Sequence, residues 1–388
     1  MNILIIHNRY VEPGGEDEVV FAEKRMLEDH GHTVVLYERH NHEIAAFGFM
    51  HKLRFVFQEI YWSNKSYHDI RRIIAQHKPD VAHIHNTFYM VSPSVYQACF
   101  EAKVPVVQTL HNYRFICPAA TFYRRGKVCE DCLRTGMLTA VVHRCWRDSS
   151  LQTWILTRVI KRLKDQESLL GVVKRYIALS EFSKGRFIKA GFSSEKVVVK
   201  PNFMELARGA GAAKEGYGIF VGSFQGYKGI KTLIKALKMQ SKPFPFKIIG
   251  DGLLRGELEQ LAQGLPVEFL GRKSLPEVLG YMNKALFVVV PSECYENFPR
   301  VIVEAYACAT AVIASCRGAL EELVEHGKTG LHFKPADSLD LAQKMDRLIN
   351  DRALAVTMGL NGRRIFEQRY TTQENYRQLM DIYASVIN

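Results

Sequence analysis

The stretch PSECYENFPRVIVEAYACATAVIAS, residues 291–315, decides the fold. It starts where the apolar run ALFVVV (285–290) stops, and that run reads as a strand buried in a parallel sheet. Pro291 and Ser292 end the strand, and a short polar loop follows. Pro299 fits the first turn of a helix, where a missing N–H costs nothing. The helix predicted from there runs through Val301, Ile302, Glu304 and Ala305 to about Cys308, and Ala311 to Ala314 read as the next strand.

Two carboxylates flank this helix start, Glu296 and Glu304, with seven residues between them. With Glu296 in the loop and Glu304 about two turns in, both can face the carboxyl edge of the sheet, where ligands of open α/β sheets bind. The N–H groups around Asn297 and Phe298 point outward at the positive end of the helix dipole, an anion site. A diphosphate on those N–H groups, with a carboxylate on either side for sugar hydroxyls, describes a nucleotide-sugar site. The plainer alternative is two glutamates on an exposed helix surface.

The flanking residues favour the first reading. From Pro291 through GALEELVEHGKTGLHF (318–333), the chain resembles the retaining GT-B glycosyltransferases with their E-x7-E motif. The resemblance implies that Glu296 contacts the donor sugar and Glu304 holds the ribose of the nucleotide. Ala309 and Ala311 stand where the family usually has Gly and Pro, a departure that bears on the turn alone.

A chain of 388 residues holds two or three domains, and its composition is that of a globular protein. Met1 leads straight into the strand-like NILII with no basic region before it, and no apolar run reaches the length of a membrane span. A cytosolic protein is therefore expected. The net charge of +12 allows a nucleic-acid partner or an anionic lipid surface. No basic recognition helix or aromatic-basic single-strand motif supports nucleic acid. Two stretches suit lipid, 51–74 and 153–176, which mix Lys and Arg with Trp, Phe, Leu and Ile. They read equally as amphipathic helices packed on a core.

Four of the eight cysteines, Cys117, Cys129, Cys132 and Cys145, fall within 29 residues. The C-x11-CxxC-x12-C pattern suggests a structural tetrathiolate zinc site, a staple rather than a catalytic centre. Four buried thiols are the other reading.

The chain opens as strand, glycine loop, helix, strand over residues 1–40. Gly14 and Gly15 let backbone approach a ligand closely, but the loop is not G-x-G-x-x-G, so a nicotinamide site is not indicated. The resemblance puts a Gly-Gly loop of this kind near the diphosphate and acceptor; the adjoining Glu16 and Asp17 are candidate acceptor contacts by position alone. Strands follow at 79–86 and from 105. His111, just past the second of these, matches the family histidine near the donor sugar and its phosphate. His83 and His85 read as strand-end hydrogen bonders.

Residues 204–216 read as a linker. The α/β rhythm restarts at Tyr217 and runs to Gly222, at the strand end. Lys228, at the start of the next helix, is placed for a phosphate. The family usually carries an arginine where this chain has Ser223, so Lys228 takes the diphosphate alone or with Arg300. Arg272 ends a strand that borders the nucleobase in the family.

The resemblance covers the whole chain. It implies a GT-B α/β fold with two Rossmann-like domains facing across a cleft: 1–203, with a Cys-rich insertion at 117–145, and 217–370. Residues 371–388 form a helix returning to the first domain. The implied reaction is retaining transfer of a sugar from a nucleoside diphosphate, UDP before GDP, to a hydroxyl of a saccharide or lipid-linked acceptor. No catalytic cofactor and no nucleic acid enter it, and the basic charge makes an anionic inner membrane face a candidate surface. A sugar-nucleotide epimerase, or a nucleotide-binding protein without turnover, would use the same residues.

Overall fold

The structure, a computed structural model, describes residues 1–11, 14–165, 172–205 and 213–387. The expected linker falls largely outside these residues, as does part of the stretch 153–176. Two compact units are present. The first comprises Met1–Ala120, Glu130–Pro201 and Tyr376–Asn388; the second comprises Thr121–Cys129 and Asn202–Asn375.

The first unit is built on six parallel strands: β1 (Asn2–Arg9), β2 (Thr33–His40), β3 (Val81–Ile84), β4 (Val106–Thr109), β7 (Val173–Ala178) and β8 (Val197–Val199). A hairpin of β5 (Tyr123–Arg124) and β6 (Lys127–Val128) intervenes in sequence but belongs to the second unit. The sheet order is β2-β1-β3-β4-β7-β8. Ile3, Leu4, Ile5 and Ile6 of β1 are fully buried. At about 1.5–3 kcal/mol for each buried side chain, this one strand gives the unit much of its drive to form. Helix Gly15–Asp29 covers the sheet with Val19, Val20, Met26 and Leu27, a helical-period stripe.

The second unit repeats the plan. Its strands are β9 (Gly218–Val221), β10 (Phe246–Ile249), β11 (Val267–Gly271), β12 (Phe287–Val290), β13 (Ala311–Ser315) and β14 (Gly330–Phe333), in the order β11-β10-β9-β12-β13-β14. All pairs are parallel. Helix Ile230–Met239 buries Ile230, Leu233, Ile234 and Leu237, again one face.

Each sheet winds in two directions from its middle, and the strand order reverses between β1 and β3 in the first unit and between β9 and β12 in the second. The crevice beyond the carboxyl ends of such a strand pair is where open α/β sheets hold ligands. Those ends carry Gly14, His85 and Asn86 in one unit, and Gly222 and the 291–299 loop in the other. The final helix, Thr372–Ile387, starts in the second unit and belongs to the first from Tyr376 onward.

One part of the domain plan is redrawn. Thr121–Cys129, expected with the first domain, is part of the second. Its hairpin is fixed there by side chains: the Tyr123 hydroxyl donates to Glu293 Oε2 at 2.7 Å, and the Phe122 ring meets Tyr295 edge to face.

Candidate active site

In the second unit the loop after β12 and the turn after β9 meet at the switch point. Gly229 makes this possible. Its φ is +70°, and a Cβ there would lie 1.8 Å from the Pro291 carbonyl oxygen. Gly250 does the same for Gly222: its φ is +142°, and a Cβ would lie 1.9 Å from the Gly222 carbonyl oxygen. With both turns drawn close, Lys228 Nζ reaches Glu296 Oε1 at 2.7 Å. Ser292 Oγ donates to the same oxygen at 2.6 Å.

This pair is charged. Burial works against both ions, but the Glu296 carboxylate outweighs it and pushes the Lys228 pKa up. Likewise burial would raise Glu296, while Lys228 and Ser292 pull it below the usual carboxylate range. An ammonium and a carboxylate thus lie together beside the first turn of helix Arg300–Ala307. Asn297 and Phe298 are buried in the loop before it, and the Phe298 ring packs edge to face on Tyr370.

Pro299 stands at the N-cap, one residue before the helix, rather than within its first turn. Glu304 is buried on this helix, with Arg300 Nη2 at 3.8 Å from its Oε1, one turn earlier. Arg272 lies exposed beyond β11, and Ser223 is exposed. Glu293, which the sequence reading passed over, takes hydrogen bonds from Tyr123 and from Thr232 Oγ1 at 2.8 Å and so ties hairpin, helix and loop together.

In the first unit Gly14 caps helix Gly15–Asp29, and its N–H donates to Asp17 Oδ2 at 2.9 Å. Asp17 Oδ1 lies 2.8 Å from His7 Nε2 on β1. The glycine loop is therefore latched to the sheet through a carboxylate. Burial would raise the Asp17 pKa, but the His7 and Gly14 hydrogen bonds hold it below the ordinary value. Its neighbour behaves oppositely. Burial, with Asp17 beside it, pushes Glu16 up to about 8, and Asn112 Nδ2 donates to Glu16 Oε2 at 3.3 Å.

His111 follows β4 and stacks on His85, ring centroids 5.2 Å apart. Burial drives its pKa down to about 3, so the imidazole is neutral. His83 bonds on both sides, Nδ1 to the Tyr383 hydroxyl at 2.7 Å and Nε2 to Thr109 Oγ1 at 2.8 Å. Behind the histidines lies a buried ion pair the sequence reading missed, Lys200 Nζ to Glu23 Oε2 at 3.2 Å. Burial would raise Glu23, but Lys200 and the histidines hold it well below the carboxylate range. One signal was available. Glu23 falls four residues after Val19 and four before Leu27, on the buried face of its helix.

The four clustered cysteines are divided between the two units. Cys117, Cys132 and Cys145 share the first unit and Cys129 belongs to the second. Among the described residues the first three do not form a group with ligand atoms within 4.8 Å; the group that does is Glu23, His83 and His85.

The family follows from two matches that meet near the middle of the chain. The model of glycosyl transferases group 1 matches residues 207–365, and that of glycosyltransferase family 4 matches residues 13–208. The chain belongs to glycosyltransferase family 4. An uncharacterized glycosyltransferase of Methanocaldococcus jannaschii is 39% identical over 173 residues, 44% of this chain and 48% of that one. The capsular polysaccharide biosynthesis glycosyltransferase CapM of Staphylococcus aureus is 30% identical over 177 residues, 43% of this chain and 46% of CapM. The chain spans about half the length of these relatives. Among solved structures, HepE of Anabaena in complex with UDP matches over 100% of both chains with a TM-score of 0.70 and 21% identity. That likeness shows the GT-B fold of this family 4 chain.

Proposed function

We propose that this glycosyltransferase moves a sugar from a nucleoside diphosphate donor, with UDP as the carrier, to a hydroxyl of an acceptor with retention at the anomeric carbon. The Lys228–Glu296 pair carries the reading, because it places a cation and a sugar-binding carboxylate together at the switch point of the second unit. In the scheme the donor diphosphate draws the Lys228 ammonium from Glu296 and lies against the N–H groups ahead of helix Arg300–Ala307. Glu296, so released, accepts from sugar hydroxyls, and Glu304 from the ribose. Charge that develops on the departing diphosphate is met by the lysine and the helix N-terminus, and no divalent cation enters. HepE, the structural neighbour, has been captured with UDP and with UDP-glucose, which supports UDP as the carrier.

We further propose a lipid-linked saccharide as acceptor, met at the cytoplasmic face of a membrane. Among the described residues nine large hydrophobic side chains are at least 55% exposed, and six of them (Phe49, Met50, Phe57, Leu138, Val142 and Leu151) fall in residues 49–57 and 138–151 of the first unit. Those segments border a cavity of about 1350 Å³ lined by Phe57, Trp62, Trp154, Arg54, Arg158 and Arg162, among others. Apolar tips beside guanidinium groups suit the boundary between acyl chains and anionic headgroups. No helix among the described residues is long and apolar enough to cross a membrane. CapM, named for capsular polysaccharide biosynthesis, supports a saccharide as the acceptor.

The test is turnover of UDP-sugars with short lipid-linked saccharides, with the anomeric configuration of the product read by NMR and EDTA present. The reading expects UDP release that depends on acceptor, a product of the donor's configuration, and loss of at least about a hundredfold in kcat for Glu296→Ala. Conversion of the donor without acceptor, or an inverted product, would overturn it.

A further inference from the structure

His7, His83, His85 and His111 gather at the carboxyl end of the first sheet, with ring centroids 4.1 Å apart for His83 and His85 and 6.3 Å for His7 and His85. Nδ1 of His85 is 2.9 Å from Nε2 of His111. Both rings are neutral, so one proton lies between those nitrogens and one ring must supply it. The choice is made on the far side of His85. There Nε2, buried without a hydrogen-bond partner, faces Glu23 Oε1 at 3.6 Å, an oxygen that also lies 3.0 Å from His83 Nδ1. Glu23 is ionised, with Lys200 at 3.2 Å from its other oxygen. A lone pair on His85 Nε2 would be repelled by that carboxylate, whereas an N–H would be attracted to it at a distance where interior charges still act strongly.

With its proton on Nε2, His85 has only a lone pair at Nδ1. His111 must then donate from Nε2. The other nitrogen of His111, Nδ1, has no hydrogen-bond partner among the described residues and is not sealed from solvent. We infer that ionised Glu23, acting through His85, holds His111 as its Nε2–H tautomer, so that the nitrogen His111 offers to a ligand is an acceptor. Such a nitrogen takes a hydrogen bond from a hydroxyl and has nothing to give a phosphate oxygen. Glu23 and His85 are positioning residues, two steps removed from any ligand. That the hydroxyl belongs to a sugar rests on the glycosyltransferase reading; the tautomer does not. The same Glu23, His83 and His85 have ligand atoms close enough for a metal ion, but the Lys200 ammonium supplies the positive charge at that carboxylate.

The experiment is two-bond ¹H–¹⁵N NMR of the full chain carrying ¹⁵N-histidine, with His111→Asn and His85→Asn used to assign the rings. For His111 the account expects a protonated, pyrrole-type Nε2 and a pyridine-type Nδ1, unchanged from pH 6 to 8. A protonated Nδ1 or an imidazolium would overturn it in the wild-type spectrum alone. Glu23→Gln combined with Lys200→Met removes both buried charges together, so neither is left unpaired. This variant is expected to mix the two tautomers at both rings; wild-type tautomers retained in it would show that Glu23 does not set them. A UDP-sugar is then added to wild type. A shift at His111 Nδ1 supports the hydroxyl contact, while no shift with the tautomer intact counts against the sugar and not against the relay.

Discussion

Glu16 keeps its proton at neutral pH while Asp17, the next residue, gives its own up. The two differ in partners, not in type: Asp17 is bonded by His7 and the Gly14 N–H, whereas Glu16 has a buried Oε1 without a partner. The raised pKa of about 8 has a definite sign for stability. A folded-state carboxyl that holds its proton more tightly than the unfolded one contributes fully below about 4.5 and loses that contribution as pH rises through 8. Glu16→Gln, which cannot ionise, should match wild type near pH 5 and exceed it by on the order of a few kcal/mol above pH 8. Thermal melts of both proteins across that range check this; a constant difference would contradict it.

Glu16 and Glu23 also show what a sequence hides at this scale. Glu296, Glu304 and Lys228 could be singled out as candidates because they lie near helix starts and match the family's motif. The Glu23–Lys200 pair joins residues 177 apart, so no local pattern marks it.

The turn after helix Arg300–Ala307 contains a cost that can be removed. Ala309 has φ +50°, the left-handed region where a Cβ is crowded, and this is where the family usually has glycine. Ala309→Gly should stabilise the protein by about 1 kcal/mol, measured by urea unfolding; a loss of stability would mean that the methyl packs usefully. The strands and helices themselves were readable because buried parallel strands appear as short apolar runs. Helix Ile230–Met239 follows from Gly229 at its N-cap and from Ile230, Leu233, Ile234 and Leu237 on one face. The hairpin β5–β6 was not readable. Its strands are two residues each, and its anchor, Glu293, lies 170 residues from Tyr123.

Segments 49–57 and 150–165 make a second claim at the element scale. On helix Ser150–Asp165, Leu151, Trp154, Arg158 and Arg162 recur at helical spacing, and the Arg158 guanidinium sits 4.9 Å from the Trp154 ring centre. If this face meets an anionic bilayer, the protein should float with vesicles of phosphatidylcholine and phosphatidylglycerol but not with phosphatidylcholine alone. Arg158→Gln with Arg162→Gln should weaken that binding by roughly fivefold per charge. Equal flotation with both vesicle types would remove the electrostatic basis of the reading.

At the scale of the whole molecule, two six-stranded parallel sheets each reverse strand order beside a glycine-bearing turn, with Gly14 at one reversal and Gly222, Lys228 and Glu296 at the other, while Arg272 lies at an edge strand. The chain crosses between the units more often than the sequence suggested, at 121–129 as well as in the final helix. The proposed donor contacts, Lys228, Glu296 and Glu304, all belong to the second unit. The nucleotide should therefore be held by that unit's own residues. The deciding measurement is calorimetric titration of UDP into wild type and into Glu304→Ala. The account predicts one UDP bound per chain and a loss of roughly ten- to a hundredfold in affinity when the Glu304 carboxylate is removed, as for a hydrogen bond to a charged group. Equal UDP affinity in the two proteins, or no binding of any nucleoside diphosphate to wild type, would contradict it.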